Sequence, residues 1–154
     1  MGLFDGYDLA SSGMSAQRTR INVVSANIAN AQTTHTIDGG PYKKQNVVFE
    51  EMLLQAQKSS TGTNQSNTNP LVNNQTPLSA VAVKSIIDSK DEPVMKYEPG
   101  HPDANGDGYV AYPNINPVVE MVDLIEAMRS YEANVSAFTA HKDIDTKTLD
   151  ILKA

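Results

Sequence analysis

Along the first thirty residues, Leu3, Tyr7, Ala10, Met14, Gln17, Ile21, Val24, Ile28 and Ala31 recur at alternating spacings of four and three. This is the spacing of an a/d heptad seam with Gln17 as its polar member, and it predicts a helix of about 29 residues, about 43 Å long. The flanking positions are polar: Arg18, Arg20, Asn22, Ser25 and Asn27 lie on or near them. The same segment is a weak helix former. Gly6 and Gly13 each cost about 1 kcal/mol relative to alanine, and Thr19, Ile21, Val23 and Val24 add β-branched stiffness. A long seam with poor intrinsic propensity predicts a helix that depends on a packing partner. Its end is expected near Asn30, ahead of the breaker cluster Asp38-Gly39-Gly40-Pro41.

At the other end, Leu124, Met128, Tyr131, Val135, Phe138, Lys142, Asp145, Leu149 and Leu152 alternate by four and three in the same way. A second stripe runs through Val118, Val122, Ile125, Ala137, Ile144 and Ile151. A helix apolar on more than one side requires more than one neighbour. Asn116-Pro117 supplies an N-cap followed by proline at the first helical position, and Glu120 suits a capping-box role at the positive end of the dipole. The seam positions expected to carry assembly are Leu3, Tyr7, Met14, Ile21, Val24 and Ile28 in the first helix. In the last they are Leu124, Met128, Tyr131, Val135, Phe138, Leu149 and Leu152.

Between these helices the pattern is weaker. Val47-Val48-Phe49 leads into Met52, Leu53 and Ala56, a short strand or a short amphipathic helix, which periodicity cannot separate. Residues 59–79 are polar and low in complexity, and read as an extended linker or arm. Ala80 to Ile87, Pro93 to Tyr97 and Gly108 to Tyr112 form three short β-prone runs, the last introduced by the turn-forming Asn105-Gly106-Asp107-Gly108. The expected organisation is therefore an assembly helix over 1–33, a turn with a short strand or helix over 34–58, and the linker over 59–79. A small β region follows over 80–115, and a second assembly helix over 116–154. The fold class is mainly α, the two terminal helices forming a coiled-coil-like pair around a small β-hairpin region.

Composition narrows the function. Of 154 residues, 40% are hydrophobic and 6% aromatic, so apolar side chains are concentrated in segments rather than spread through a globule. A formal net charge of −6 disfavours nucleic acid, which requires clustered Lys and Arg beyond the pairs Arg18/Arg20 and Lys43/Lys44. With no cysteine, disulfide and thiolate chemistry are excluded. No apolar run exceeds four residues, too short to span a bilayer. The N-terminal Met-Gly-Leu-Phe-Asp-Gly-Tyr-Asp lacks the basic and apolar regions of a cleavable signal peptide.

Catalytic patterns are missing too. His35, His101 and His141 stand far apart, without H-E-x-x-H spacing, and there is no G-x-S-x-G or Walker-type loop. One stretch imitates a metal site. Asp103, Asn105 and Asp107 followed by Gly108 match the first half of an EF-hand loop. The twelfth position is Asn114, which lacks the bidentate carboxylate, and Pro99, Gly100 and Pro102 replace the entering helix. A tight turn is the better reading of Asn-Gly and Asp-Gly dipeptides. Neither a cofactor nor a metal is expected, and no enzyme activity.

Four stretches resemble a known family. S-A-N-I-A-N-A-Q-T (Ser25 to Thr33), at the end of the first helix and including Asn27 and Asn30, is similar to the N-terminal motif of bacterial flagellar rod and hook proteins. D-G-G-P-Y-K-K-Q (Asp38 to Gln45) is the second. Y-E-P-G-H-P-D-A (Tyr97 to Ala104) with G-Y-V-A-Y-P-N-I-N (Gly108 to Asn116), and E-M-V-D-L-I-E-A-M-R-S-Y-E-A-N-V (Glu120 to Val135), complete the set. Together they resemble the flagellar basal-body rod family, most closely its proximal rod members. The resemblance implies a structural subunit exported by the flagellar type III apparatus without signal cleavage. It implies assembly with copies of itself, other rod proteins and a rod-base adaptor into a helical tube. That tube crosses the periplasmic space of the basal body and transmits motor torque to the hook. A longer distal-rod or hook subunit would need an outer domain for which this chain has no room. Segment 59–79 matches no family motif.

Overall fold

A computed structural model describes residues 5–37, 39–54 and 78–153. Among them the order is α1 (Asp5–Ala29), β1 (Gln45–Leu54), β2 (Leu78–Asp88), β3 (Val94–Tyr97), β4 (Tyr109–Tyr112) and α2 (Pro117–Lys153). The two helices lie side by side and antiparallel: Gly6 meets His141, Gly13 meets Asn134, and Asn27 meets Glu120. Helices thus dominate, accompanied by two small antiparallel sheets.

Helix α1 stops where Asn30 turns the chain. The Asn30 amide N–H and side-chain Nδ2 both donate to Ala26 O, at 3.0 and 2.9 Å. Thr33 then closes the return, its N–H donating to Asn30 O (3.1 Å) and its hydroxyl to Asn30 Oδ1 (3.2 Å). Asparagine suits this point because its short side chain reaches back to the last turn, adding a second donor to the Ala26 carbonyl, and offers its own Oδ1 to Thr33. Gly39 and Gly40 follow with φ of 85° and 81°, conformations that a Cβ disfavours.

The Val47–Leu53 region, open between strand and helix on periodicity, is a strand. β1 pairs with β2 from Gln45↔Asp88 to Leu54↔Leu78, with a register shift between Val48 and Phe49. β2 thus pairs with β1 and not with the two short runs that follow it. Ten- and eleven-residue partners bury more than a four-residue strand offers. The three runs divide instead into a β1–β2 ribbon and a separate β3–β4 hairpin, with Val94↔Tyr112 to Tyr97↔Tyr109. Of the linker expected over 59–79, residues 59–77 lie outside the described residues, and Leu78 and Ser79 belong to β2. Both strands of the ribbon touch α1, and Ala80 is buried.

At α2 the Asn116 carbonyl accepts the Glu120 amide (3.1 Å) and its side-chain Oδ1 accepts the Val118 amide (3.0 Å), so Asn116 is the N-cap. Glu120 does not complete a capping box. It sits one position past the third helical residue, and its carboxylate turns inward to a buried site.

Candidate assembly surface

The contact between α1 and α2 repeats every seven residues. Gly6, Gly13, Arg20 and Asn27 stand at the same levels as His141, Asn134, Ala127 and Glu120, each pair of numbers summing to 147. At each level a small side chain meets a polar or larger one, or two polar groups meet. A Cβ on Gly6 would lie 2.8 Å from His141 Cε1, and one on Gly13 2.9 Å from Asn134 Nδ2. These glycines weaken the helix, as the sequence shows, but they also make room for α2. The Arg20 guanidinium reaches past the fully buried Ala127 toward Asp123 (3.8 Å) and Glu126 (3.9 Å), long and partly exposed pairs that contribute little.

Toward the start of α1 the contact is aromatic. The Tyr7 ring meets Phe138 edge-on at 5.0 Å, and its hydroxyl donates to Asp145 Oδ2 at 2.6 Å. That hydrogen bond and the Asp145 charge push the Tyr7 pKa up to about 12.

The other end is a buried polar cluster. Asn27 and Glu120 are each 1% exposed. Asn27 Nδ2 donates to Gln45 O (2.9 Å) and to Glu120 Oε2 (3.1 Å). Its Oδ1 accepts from the Tyr42 hydroxyl (3.1 Å) and the Gln45 amide (2.9 Å), so all four of its hydrogen-bonding positions are filled. Glu120 Oε1 receives no hydrogen bond of regular geometry, but the Lys44 ammonium stands 2.7 Å from it and supplies the counter-charge. Burial, and the negative charges of Asp88 and Glu120, raise the Tyr42 pKa.

The seam residues fall into two groups. In α1, Val24 is buried and Tyr7, Met14, Ile21 and Ile28 are half-buried; Leu3 lies outside the described residues. In α2, Leu124 and Phe138 are half-buried, but Met128 (47%), Tyr131 (36%), Val135 (39%), Leu149 (55%) and Leu152 (78%) are exposed. The levels facing α1 pass through Ala127, Asn134 and His141, one residue before Met128, Val135 and Lys142. Small and polar groups occupy the inner line, and the apolar side chains are displaced outward. Val118, Met121, Val122, Ile125 and Ile144 join them on the outer surface of α2. Val122, Ile125, Arg129 and Ala133 line a shallow groove there.

Of the motif residues Ser25, Asn27, Asn30 and Thr33, Ser25 is exposed and the other three hold the end of α1, as described above. Sequence reasoning missed Lys44 and Tyr42, and it gave Glu120 a capping role. The seven-residue recurrence of Asn27 with Gly13 and Gly6 was the available signal.

The EF-hand-like stretch forms the β3–β4 turn. Asn105 Oδ1 accepts the amides of Asp107 (3.0 Å) and Tyr109 (2.8 Å), which directs that oxygen at the backbone. Gly108 has φ of 82°, and a Cβ there would lie 2.9 Å from Tyr97 Cε2. Asp103 Oδ2 accepts from the Thr34 hydroxyl (2.7 Å), fastening the hairpin to the segment after α1. His101 Nδ1 lies 3.8 Å from the same carboxylate and accepts the Asp103 amide at 3.1 Å. Among the described residues, no three His, Cys, Asp or Glu side chains converge as a metal requires.

The helix pair thus buries mainly alanine and valine with the Asn27–Glu120 pair, and leaves larger apolar side chains exposed on the outer surface of α2. Two family profiles match the chain at the same two ends: "Flagella basal body rod protein" over residues 8–34, and "Flagellar basal body rod FlgEFG protein C-terminal" over residues 107–151. The class is thus the flagellar rod proteins. The flagellar basal-body rod protein FlgC of Borreliella burgdorferi is 40% identical over 170 aligned positions, covering 99% of each chain. Those of Salmonella typhimurium and Bacillus subtilis are each 36% identical, covering 98% and 99% of this chain and 98% and 100% of their own. This chain belongs to the FlgC family of flagellar basal-body rod proteins. It is a structural component of the rod and not an enzyme.

Proposed function

We propose that the chain builds the proximal rod by packing the outer faces of α1 and α2 against copies of itself and other rod proteins. The product is a helical tube that crosses the periplasm and carries torque toward the hook. The apolar exterior of α2 carries this reading: Val118, Val122, Ile125 and Met128 stand in water in the single chain, while the interior positions are small or polar. Exposed apolar area of this extent marks a surface that another chain covers. The seam residues Ile21 and Ile28 in α1, half-buried in the single chain, and Met128, Val135, Leu149 and Leu152 in α2, supply the remaining surface, while Val24 is already buried within the chain. Export through the flagellar type III apparatus, with no signal cleaved, and seating on a rod-base adaptor complete the proposal. No helix among the described residues is long and apolar enough to cross a membrane.

The test is Ile125→Asp. In the single chain Ile125 is about half exposed, so a carboxylate there costs little. Between packed subunits, the same carboxylate loses its water and costs several kcal/mol or is forced to take up a proton. The variant should be synthesised and folded as wild type, yet yield no rods and no swimming, while Lys90→Glu on an exposed loop is tolerated. Normal swimming of the Ile125→Asp strain would show that this face does not pack.

A further inference from the structure

We propose that Lys44 and Glu120 form a conditional lock on helix α1. The helix docks against α2 at full strength only when the segment carrying Tyr42, Lys44 and Gln45 has closed over the junction. Three separate parts of the chain meet here: Asn27 from α1, Glu120 from the first turns of α2, and Tyr42 to Gln45 leading into β1. Glu120 is almost fully buried, and an ionised carboxylate is stable there only with a counter-charge and hydrogen-bond donors. One oxygen is served by Asn27 and the other by Lys44 alone. Asn27 in turn takes two of its four bonds from Gln45 backbone groups and one from Tyr42. Remove the 42–45 segment and α1 would bury both a carboxylate without its cation and an amide with three bonds unmade.

The pair is asymmetric. The Lys44 side chain is 27% exposed and its ammonium can turn to water, whereas Glu120 has no such exit. Loss of the lysine is therefore the damaging change, and loss of the carboxylate charge is the milder one. Lys44 and Glu120 are positioning residues: they set when α1 is held, not what the assembled surface touches. This inference goes beyond the assembly reading and is tested without it.

The experiment is amide hydrogen exchange on the purified full chain, read at residues 23–29. Lys44→Met should raise exchange there by roughly two orders of magnitude, as expected for a buried charge left without its partner. Lys44→Arg should stay near wild type. Glu120→Gln should show the smaller effect, and Lys44→Met/Glu120→Gln should recover most of the protection that Lys44→Met loses. A purely steric role for Lys44 predicts no such recovery. The lock is refuted if Lys44→Met exchanges like wild type, if the double variant is no better than Lys44→Met, or if wild type shows no protection at 23–29. None of these outcomes bears on whether the outer face of α2 packs in a rod, which Ile125→Asp addresses.

Discussion

The Tyr7 hydroxyl is a hydrogen-bond donor that its carboxylate partner cannot replace. Donation to Asp145 favours the protonated phenol and lifts its pKa from 10.0 to about 12. A raised folded-state value means that the stabilisation is fully present below pH 10 and fades as pH rises toward 12. Removing the hydroxyl with Tyr7→Phe deletes that dependence but keeps the ring against Phe138. Denaturation midpoints of wild type and Tyr7→Phe should therefore differ most below pH 10 and converge by about pH 12. Parallel curves across that window would show that the bond does not stabilise the chain. The same residue-scale logic separates Gly108, whose φ of 82° and proximity to Tyr97 exclude a side chain, from Gly100 and Gly106, which meet open space.

Among the elements, α1 is held unevenly. Its last turns bury Val23, Val24 and Asn27 and carry the polar cluster, while its first half presents Gly6 and Gly13 and buries only small side chains such as Ala10 and Ala16. Local opening follows buried contacts and protected hydrogen bonds, so exchange should be graded. In the monomer, amides of residues 6–15 are expected to exchange well ahead of those at 23–29, with α2 around Ala127 slowest. Uniform protection along α1 would contradict the weak-helix argument drawn from its glycines and β-branched residues. The helices themselves were legible, because sustained four-three spacing and an Asn-Pro start leave little ambiguity. The facing line of α2 was less so. Hydrophobicity places Met128 and Val135 inward, but Gly6 and Gly13 accept His141 and Asn134 one residue earlier, and no one-dimensional pattern reports that accommodation. Strand pairing was hidden for a different reason: β1 finds β2 across a long sequence separation, and local signals do not encode distant partners. Glu120 looked like a helix-start carboxylate because its partners Asn27 and Lys44 lie far away in the sequence.

For the whole molecule, an apolar outer helix face coexists with a formal net charge of −6. On the proposed packing, copies approaching one another would repel at long range and attract at contact. Added salt screens the first effect, over a Debye length of about 10 Å at 0.1 M, and leaves the second intact. Sulfate strengthens apolar burial further. Self-association of the purified chain, followed by sedimentation, should increase with sulfate concentration and be weaker in Ile125→Asp. Dissociation on adding salt would mean that ion pairs, not apolar contacts, join the copies.

The seven-residue ladder between the helices also has a mechanical consequence. Sliding α1 along α2 by one repeat, about 10.5 Å, would bring Gly13 to His141 in the place of Gly6, but Arg20 to Asn134, where even a Cβ would stand 2.9 Å from the Asn134 amide nitrogen. The last rung resists it as well: Asn27 would leave Glu120 for Ala127, and the carboxylate would lose its amide donor. The ladder is thus fixed at two levels, by the space Gly13 leaves for Asn134 and by the pairing of Asn27 with Glu120. Under a load directed along the helices, Asn27 and Glu120 act as a shear pin, resisting axial slip that smooth apolar packing would permit.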